Sequence, residues 1–222
     1  EHPGSQPLRQ GRNCQQCHRS DEASMGKVQN YGKVADTRAV QVSFDQDATH
    51  LNIKLQWAGP ADDKDIALMW GDNSSDAFRR GGCFAACHSD MPGMSRDRGQ
   101  QAGKYLLASR LQERRIGQPA IPVSNDELQT LMAAGNFVEM WRVNLADGGA
   151  IQSAILLAEL DWRASATVSA VAGYANGQWT VNIKRNRIGS DGFKDMNSLD
   201  RYTFGVALHG AQNAGGEHWV SL

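Results

Sequence analysis

Leu51-Asn52-Ile53-Lys54-Leu55-Gln56-Trp57 alternates apolar with polar residues without a break. Successive side chains of a strand point to opposite faces, so this stretch reads as a strand with one buried side. Val40, Val42 and Phe44 alternate in the same way just before it, and Asp45-Gln46-Asp47-Ala48 between the two runs has turn composition. The pair predicts an antiparallel hairpin. Further along the chain, Ile66 to Trp70 is a short apolar run, and Phe137 to Leu145, Ser153 to Asp161 and Ala166 to Gly173 are strand candidates. In Gln178 to Arg185, Trp179, Val181 and Ile183 share one face, and Asn176-Gly177 ahead of it is a strong two-residue hairpin signal. Tyr202, Phe204, Val206 and Leu208 alternate again, and His218 to Leu222 is a last short strand. Helix signals are few. Gln10 to Ser20 reads as a short helix, and Ser124-Asn125-Asp126-Glu127 is a capping box ahead of Leu128, Leu131 and Met132, with Gly135 at the end. Seven or eight strands, short turns and little helix predict a mainly β fold, an immunoglobulin-like β-sandwich with a few short helices.

All four cysteines fall in two pairs, each followed by histidine: Cys14-Gln15-Gln16-Cys17-His18 and Cys83-Phe84-Ala85-Ala86-Cys87-His88. Cys-x-x-Cys-His is the attachment signature of c-type haem, in which each thiol joins a vinyl group and the histidine binds the iron. The first pair matches the pattern and the second has one extra residue, which a bulged turn would accommodate. A zinc site would require partner ligands at suitable spacing, and a redox Cys-x-x-Cys would not require His18. For the second pair the plain alternative is a disulfide or two buried thiols. The expectation is two covalently bound haem c groups, with cysteines 14, 17, 83 and 87 as anchors and His18 and His88 as the first iron ligands.

The chain has 222 residues, 41% of them apolar, and a formal net charge of −1. That is enough for one large domain or two small ones. No basic stripe interleaves with aromatics, so no nucleic-acid partner is expected. No run approaches the roughly 18 apolar residues of a membrane helix, so no membrane span is expected. The first residues, Glu1-His2-Pro3-Gly4, suit an exported chain whose leader has been removed. Covalent haem attachment takes place outside the bacterial cytoplasm, so the expected compartment is the periplasm. Residues 1–35 are too few for a domain of their own and read as an N-terminal haem-attachment segment packed on a β-sandwich haem-binding domain over 36–222. Residues 89–123 have no clear period; a loop that long after an attachment site suits covering a haem edge.

Gly81-Gly82-Cys83-Phe84-Ala85-Ala86-Cys87-His88-Ser89-Asp90, Gly103-Lys104-Tyr105-Leu106, Val138-Glu139-Met140-Trp141-Arg142, Tyr202-Thr203-Phe204-Gly205-Val206-Ala207-Leu208-His209 and His218-Trp219-Val220-Ser221-Leu222 together resemble the haem-binding domain of the γ subunits of ethylbenzene and dimethylsulfide dehydrogenases. The resemblance covers about residues 40–222. It implies a β-sandwich holding haem at one end. It also implies a Met and a Lys as iron ligands in the non-covalent members, which correspond here to Met69 and to the position of His218. The added cysteines and His88 depart from that pattern, so one ancestral ligand is redundant or reassigned.

His218 leads as the second ligand of the second haem, with Met69 as its rival; the plain readings are a histidine near a chain end and a core methionine. For the first haem the candidates are His209 and His50, ahead of Met25, Met91 and Met94. Arg96, Arg98, Arg110, Arg114 and Arg115 could neutralise propionates or dock an acidic partner, or simply form a solvated face. The function expected is electron transfer by a periplasmic dihaem cytochrome between periplasmic or membrane-bound redox proteins, including a molybdenum oxidoreductase as the resemblance implies, with no catalysis of its own. The alternative is a haem enzyme (a peroxidase or small-oxyanion reductase) or a haem-based sensor, either of which needs one open iron.

Overall fold

A computed structural model describes residues 10–13, 15–24, 27, 37–72, 74–88, 103–111, 121–164, 166–197, 200–211 and 218–221, with the side chains of residues 15, 17, 84, 87 and 88 outside the description. The fold is mainly β, a sandwich of two antiparallel sheets with a few short helices. The elements that carry the argument, in chain order, are α1 (Gln15–His18), β1 (Gln41–Gln46), β2 (His50–Ala58), β3 (Asp65–Gly71), α2 (Asp76–Gly81), β4 (Cys87–His88), β5 (Gly103–Lys104) and α3 (Asn125–Ala133). They are followed by β6 (Val138–Asn144), β7 (Ala150–Leu156), β8 (Leu160–Arg163), β9 (Val168–Ala175), β10 (Gln178–Asn186), β11 (Thr203–His209) and β12 (Trp219–Val220).

One sheet has the order β1-β2-β10-β9 and the other β12-β11-β3-β6-β7-β8, while β4 and β5 pair separately. The hairpin expected around residues 40–57 is β1–β2, with Phe44 opposite Ile53. Its turn comes later than the composition suggests: the strand runs through Gln46, and Asp47 closes the turn by accepting from the Thr49 and His50 amides, each at 2.7 Å. Asn176 and Gly177, at φ 51° and 77°, form the left-handed two-residue turn between β9 and β10. Ser124 caps α3 by accepting from Glu127 N–H at 3.3 Å. Two expectations are corrected. Ser153 to Asp161 is not one strand: β7 ends at Leu156 and β8 begins at Leu160, because the chain reverses after an edge that the apolar run conceals. Helix at the N-terminal motif is confined among the described residues to four residues and a short stretch after it, shorter than Gln10 to Ser20.

Alternation in each strand creates two apolar layers. Ile53, Leu55, Trp57, Ile66, Leu68, Trp141, Val143, Val181, Ile183 and Leu208 fill the space between the sheets. Residues of opposite parity on β3, β6 and β7 (Met69, Val138, Met140, Ala154 and Leu156) face away from the first sheet and form a second cluster with Phe78, Cys83, Ala86 and Leu106. The centre of the six-stranded sheet is thus buried on both faces, which is why β3 is buried at every position and apolar from Ile66 onward. Its outer face is roofed by the segment carrying the second cysteine motif.

Candidate functional site

β3 delivers the chain to α2 at one end of the six-stranded sheet, and α2 runs directly into a 3-10 turn over Gly82–Ala85 that carries Cys83. Gly82 enters this turn at φ 52°, and Ala86 N–H donates to Cys83 C=O at 3.1 Å. A tight turn between the two cysteines takes up the extra residue of the second motif. The backbone of Cys87 and His88 then pairs with Lys104 and Gly103. Tyr105 N–H donates to Ala86 C=O at 3.0 Å and Leu106 N–H to Leu157 C=O at 2.7 Å, so the motif is tied back to the end of β7.

Cys83 is buried on the outer sheet face against Gly205 of β11. A Cβ at Gly205 would stand 2.5 Å from Cys83 Sγ, so only glycine lets the turn approach this strand. Met69 is the register partner of Gly205. It lies buried among Phe78, Cys83 and Met140, in surroundings where ordinary packing accounts for it. The side chains of Cys87 and His88 lie outside the described residues.

Along the same face of β11, four residues and about 13 Å beyond Gly205, stands His209. Its Nδ1 is 2.7 Å from Asp65 Oδ1, and Arg142 donates to Asp65 Oδ2 at 2.7 Å. Neither His209 Nδ1 nor Asp65 Oδ1 makes a well-formed hydrogen bond. Burial opposes the ionised form of Asp65, but His209 and Arg142 outweigh it and hold the carboxyl below its ordinary range. His218, immediately before β12, faces His209 with ring centres 4.6 Å apart and planes tilted by 33°. Trp219, next to His218, lies under the Arg38 guanidinium at 4.5 Å, and Arg38 in turn binds the buried Asp63. The structure therefore brings together two of the histidines that the sequence singled out separately.

His50 stands elsewhere, on the four-stranded sheet. Its Nδ1 is 2.7 Å from Thr49 Oγ1 and 3.5 Å from Asp47 Oδ1, inside the β1–β2 turn. In the first motif, Cys14 and the Cys17 side chain lie outside the described residues, as do Met25, Met91, Met94, Arg96, Arg98, Arg114 and Arg115. His18 is half-buried, with Nδ1 3.7 Å from Asp21 Oδ2. Arg110 is described: it stacks over Tyr105 at 4.0 Å and donates to Ala158 C=O at 2.8 Å, so it braces the roof. The segment with the first motif reaches the second through Gly11, where a Cβ would lie 3.4 Å from Arg80 Nη1. Gly11 and Arg80 each precede the first cysteine of their motif by three residues, so the Arg80 side chain links the two cysteine segments.

Sequence reasoning missed Asp65 and Arg142, which pair only through the β3–β6 ladder, and Gly205. A lone glycine inside the alternating run Tyr202 to Leu208 did carry a signal for close backbone approach. Among the described residues, no group of three or more His, Cys, Asp or Glu side chains is arranged to hold a metal ion by itself. No family model matches the chain, and no curated protein matches it.

Proposed function

We propose that this chain carries two covalent haem c groups and passes electrons between redox partners in the periplasm. The observation that carries the reading is the placement of the second Cys-His motif: Cys83 is seated against Gly205 on the same sheet face on which His209 and His218 stand. Several features fit a large flat apolar group there. Gly205 and Ala207 on β11 and Ala67 on β3 keep side chains short between Cys83 and the histidine pair. Asp65 engages Nδ1 of His209, which leaves Nε2 as the ligating nitrogen, and a carboxylate behind a histidine is the usual second partner of a metal-binding imidazole.

In this reading, cysteines 14, 17, 83 and 87 anchor, and His18 and His88 each take one face of an iron. His218 closes the second iron in preference to Met69, whose side chain belongs to the packed layer over β3. His209 is preferred to His50 for the first, because it shares the outer sheet face with the second motif, which the Gly11–Arg80 contact brings beside the first. A bound haem supplies a one-electron couple, and ligands on both faces let it change charge with little rearrangement. The residues around it exclude water and fix the imidazoles. Partners are periplasmic or membrane-bound redox proteins, among them a molybdenum oxidoreductase; among the described residues no helix is long and apolar enough to cross a membrane.

Carbon monoxide tests the reading. The dithionite-reduced holoprotein should keep its visible spectrum under CO and reoxidise fully when an electron acceptor is added. Rapid stoichiometric CO binding would mean an open iron, and would favour a haem enzyme or sensor instead.

A further inference from the structure

We propose that His209 and His218 close one haem each, so that the two irons lie side by side and act as a coupled pair. This rests on the dihaem reading above and deepens it. Each covalent motif already brings a histidine to its own iron, which leaves one open position on each. Two positions remain, and two imidazoles stand with ring centres 4.6 Å apart. They cannot both serve one iron that already holds His18 or His88, because the porphyrin takes the four equatorial positions. They cannot serve irons in remote parts of the molecule either. An imidazole nitrogen binds a first-row metal at about 2 Å, and the ring centre lies about 1 Å beyond. Adding this reach to both ends of the ring–ring distance puts the irons no more than about 11 Å apart.

The attachment side agrees. Cys83 sits about 13 Å along β11 from His209, a span that a macrocycle and its ligand can bridge over Ala207. The Gly11–Arg80 contact brings the N-terminal motif to the same segment. The two histidines differ in what stands behind them. His209 has the Asp65 carboxylate at its Nδ1, with Arg142 on the other oxygen; His218 adjoins Trp219 and the Arg38 guanidinium over it. Two haems this close exchange electrons rapidly, and reduction of one disfavours reduction of the other through charge repulsion in a low-dielectric site.

The test uses the holoprotein. Intact mass first counts the haems. Near-infrared magnetic circular dichroism of the oxidised protein should then report two bis-histidine haems, and its electron paramagnetic resonance spectrum should show magnetic interaction between them. His209→Met should convert one haem to histidine–methionine ligation and His218→Met the other. A mass with fewer than two haems sinks the dihaem reading itself. Two haems whose resonance is the plain sum of isolated centres overturn the inference alone, as does a pair of substitutions that alter the same haem or none. The spectra of the unaltered protein decide the matter even if a variant fails to fold.

Discussion

Asp65 is buried in β3 and faces two partners, the His209 imidazole and the Arg142 guanidinium. If His209 binds iron, the carboxylate behind it makes the imidazole a stronger donor and favours the oxidised metal. Asp65→Asn is therefore expected to raise the midpoint potential of one haem and leave the other nearly unmoved, measured by spectroelectrochemical titration; unchanged potentials would remove Asp65 from the site. A second carboxylate shows the same physics without a metal. Burial opposes the charge on Asp72, yet Ser74 and Lys194 outweigh it and its carboxyl sits below the ordinary range. Burial acts on Lys194 as well and wins there, since its ammonium is pulled below the ordinary lysine value despite Asp72 at 2.9 Å. The carboxylate pKa is lower folded than unfolded, so its contribution to stability is present above about pH 4, the unfolded value, and is lost as pH falls through the folded one. Urea melts of wild type and Asp72→Asn should differ by a constant amount near neutrality and converge in acid. A gap that persists below the folded value would show that the effect is not electrostatic.

Elements are held in place by contacts that bridge layers. Arg185 of β10 and Glu139 of β6 meet between the sheets at 2.9 Å with both side chains fully buried, and Glu139 also accepts from Lys194 N–H. Removing one partner strands the other charge, so Arg185→Ala is expected to cost about 3–5 kcal/mol, read as a lower urea midpoint with an unchanged slope. On the opposite face, Gly205→Val places carbon where Cys83 Sγ now lies. Overpacking of this kind costs about 1–3 kcal/mol, and here it should also lower haem loading at the second motif while the first stays loaded; full loading of both would mean that Cys83 does not need this seat. The period-two runs made the strands legible because each sheet buries one face between the sheets. The same rule could not expose the outer apolar layer, since a strand buried on both faces, such as β3, loses its alternation. The β7–β8 reversal was hidden for a related reason: Leu156 and Leu157 are both buried, so the apolar run continues into the turn, where Glu159 is the one polar residue. Pairings across the sheet, Asp65 with Arg142 and His209 with His218, join residues far apart in sequence and became visible only with the strand order.

At the scale of the whole molecule, the sandwich serves as a rigid two-faced support. One sheet buries its inner face and leaves the other to solvent. The centre of the second sheet is covered on both faces, and its outer cover includes α2, the turn with Cys83, and Leu106, which closes on the end of β7. The cysteine motifs were legible from spacing alone, while the seat of Cys83 on the outer sheet face depended on the fold. Intact mass spectrometry of the protein produced with its haem-attachment machinery tests the central claim most directly. The expected mass is that of the chain plus two haems, falling by one haem in the Cys83→Ala, Cys87→Ala double variant. A mass equal to the bare chain plus a single haem, or to the bare chain, would contradict it.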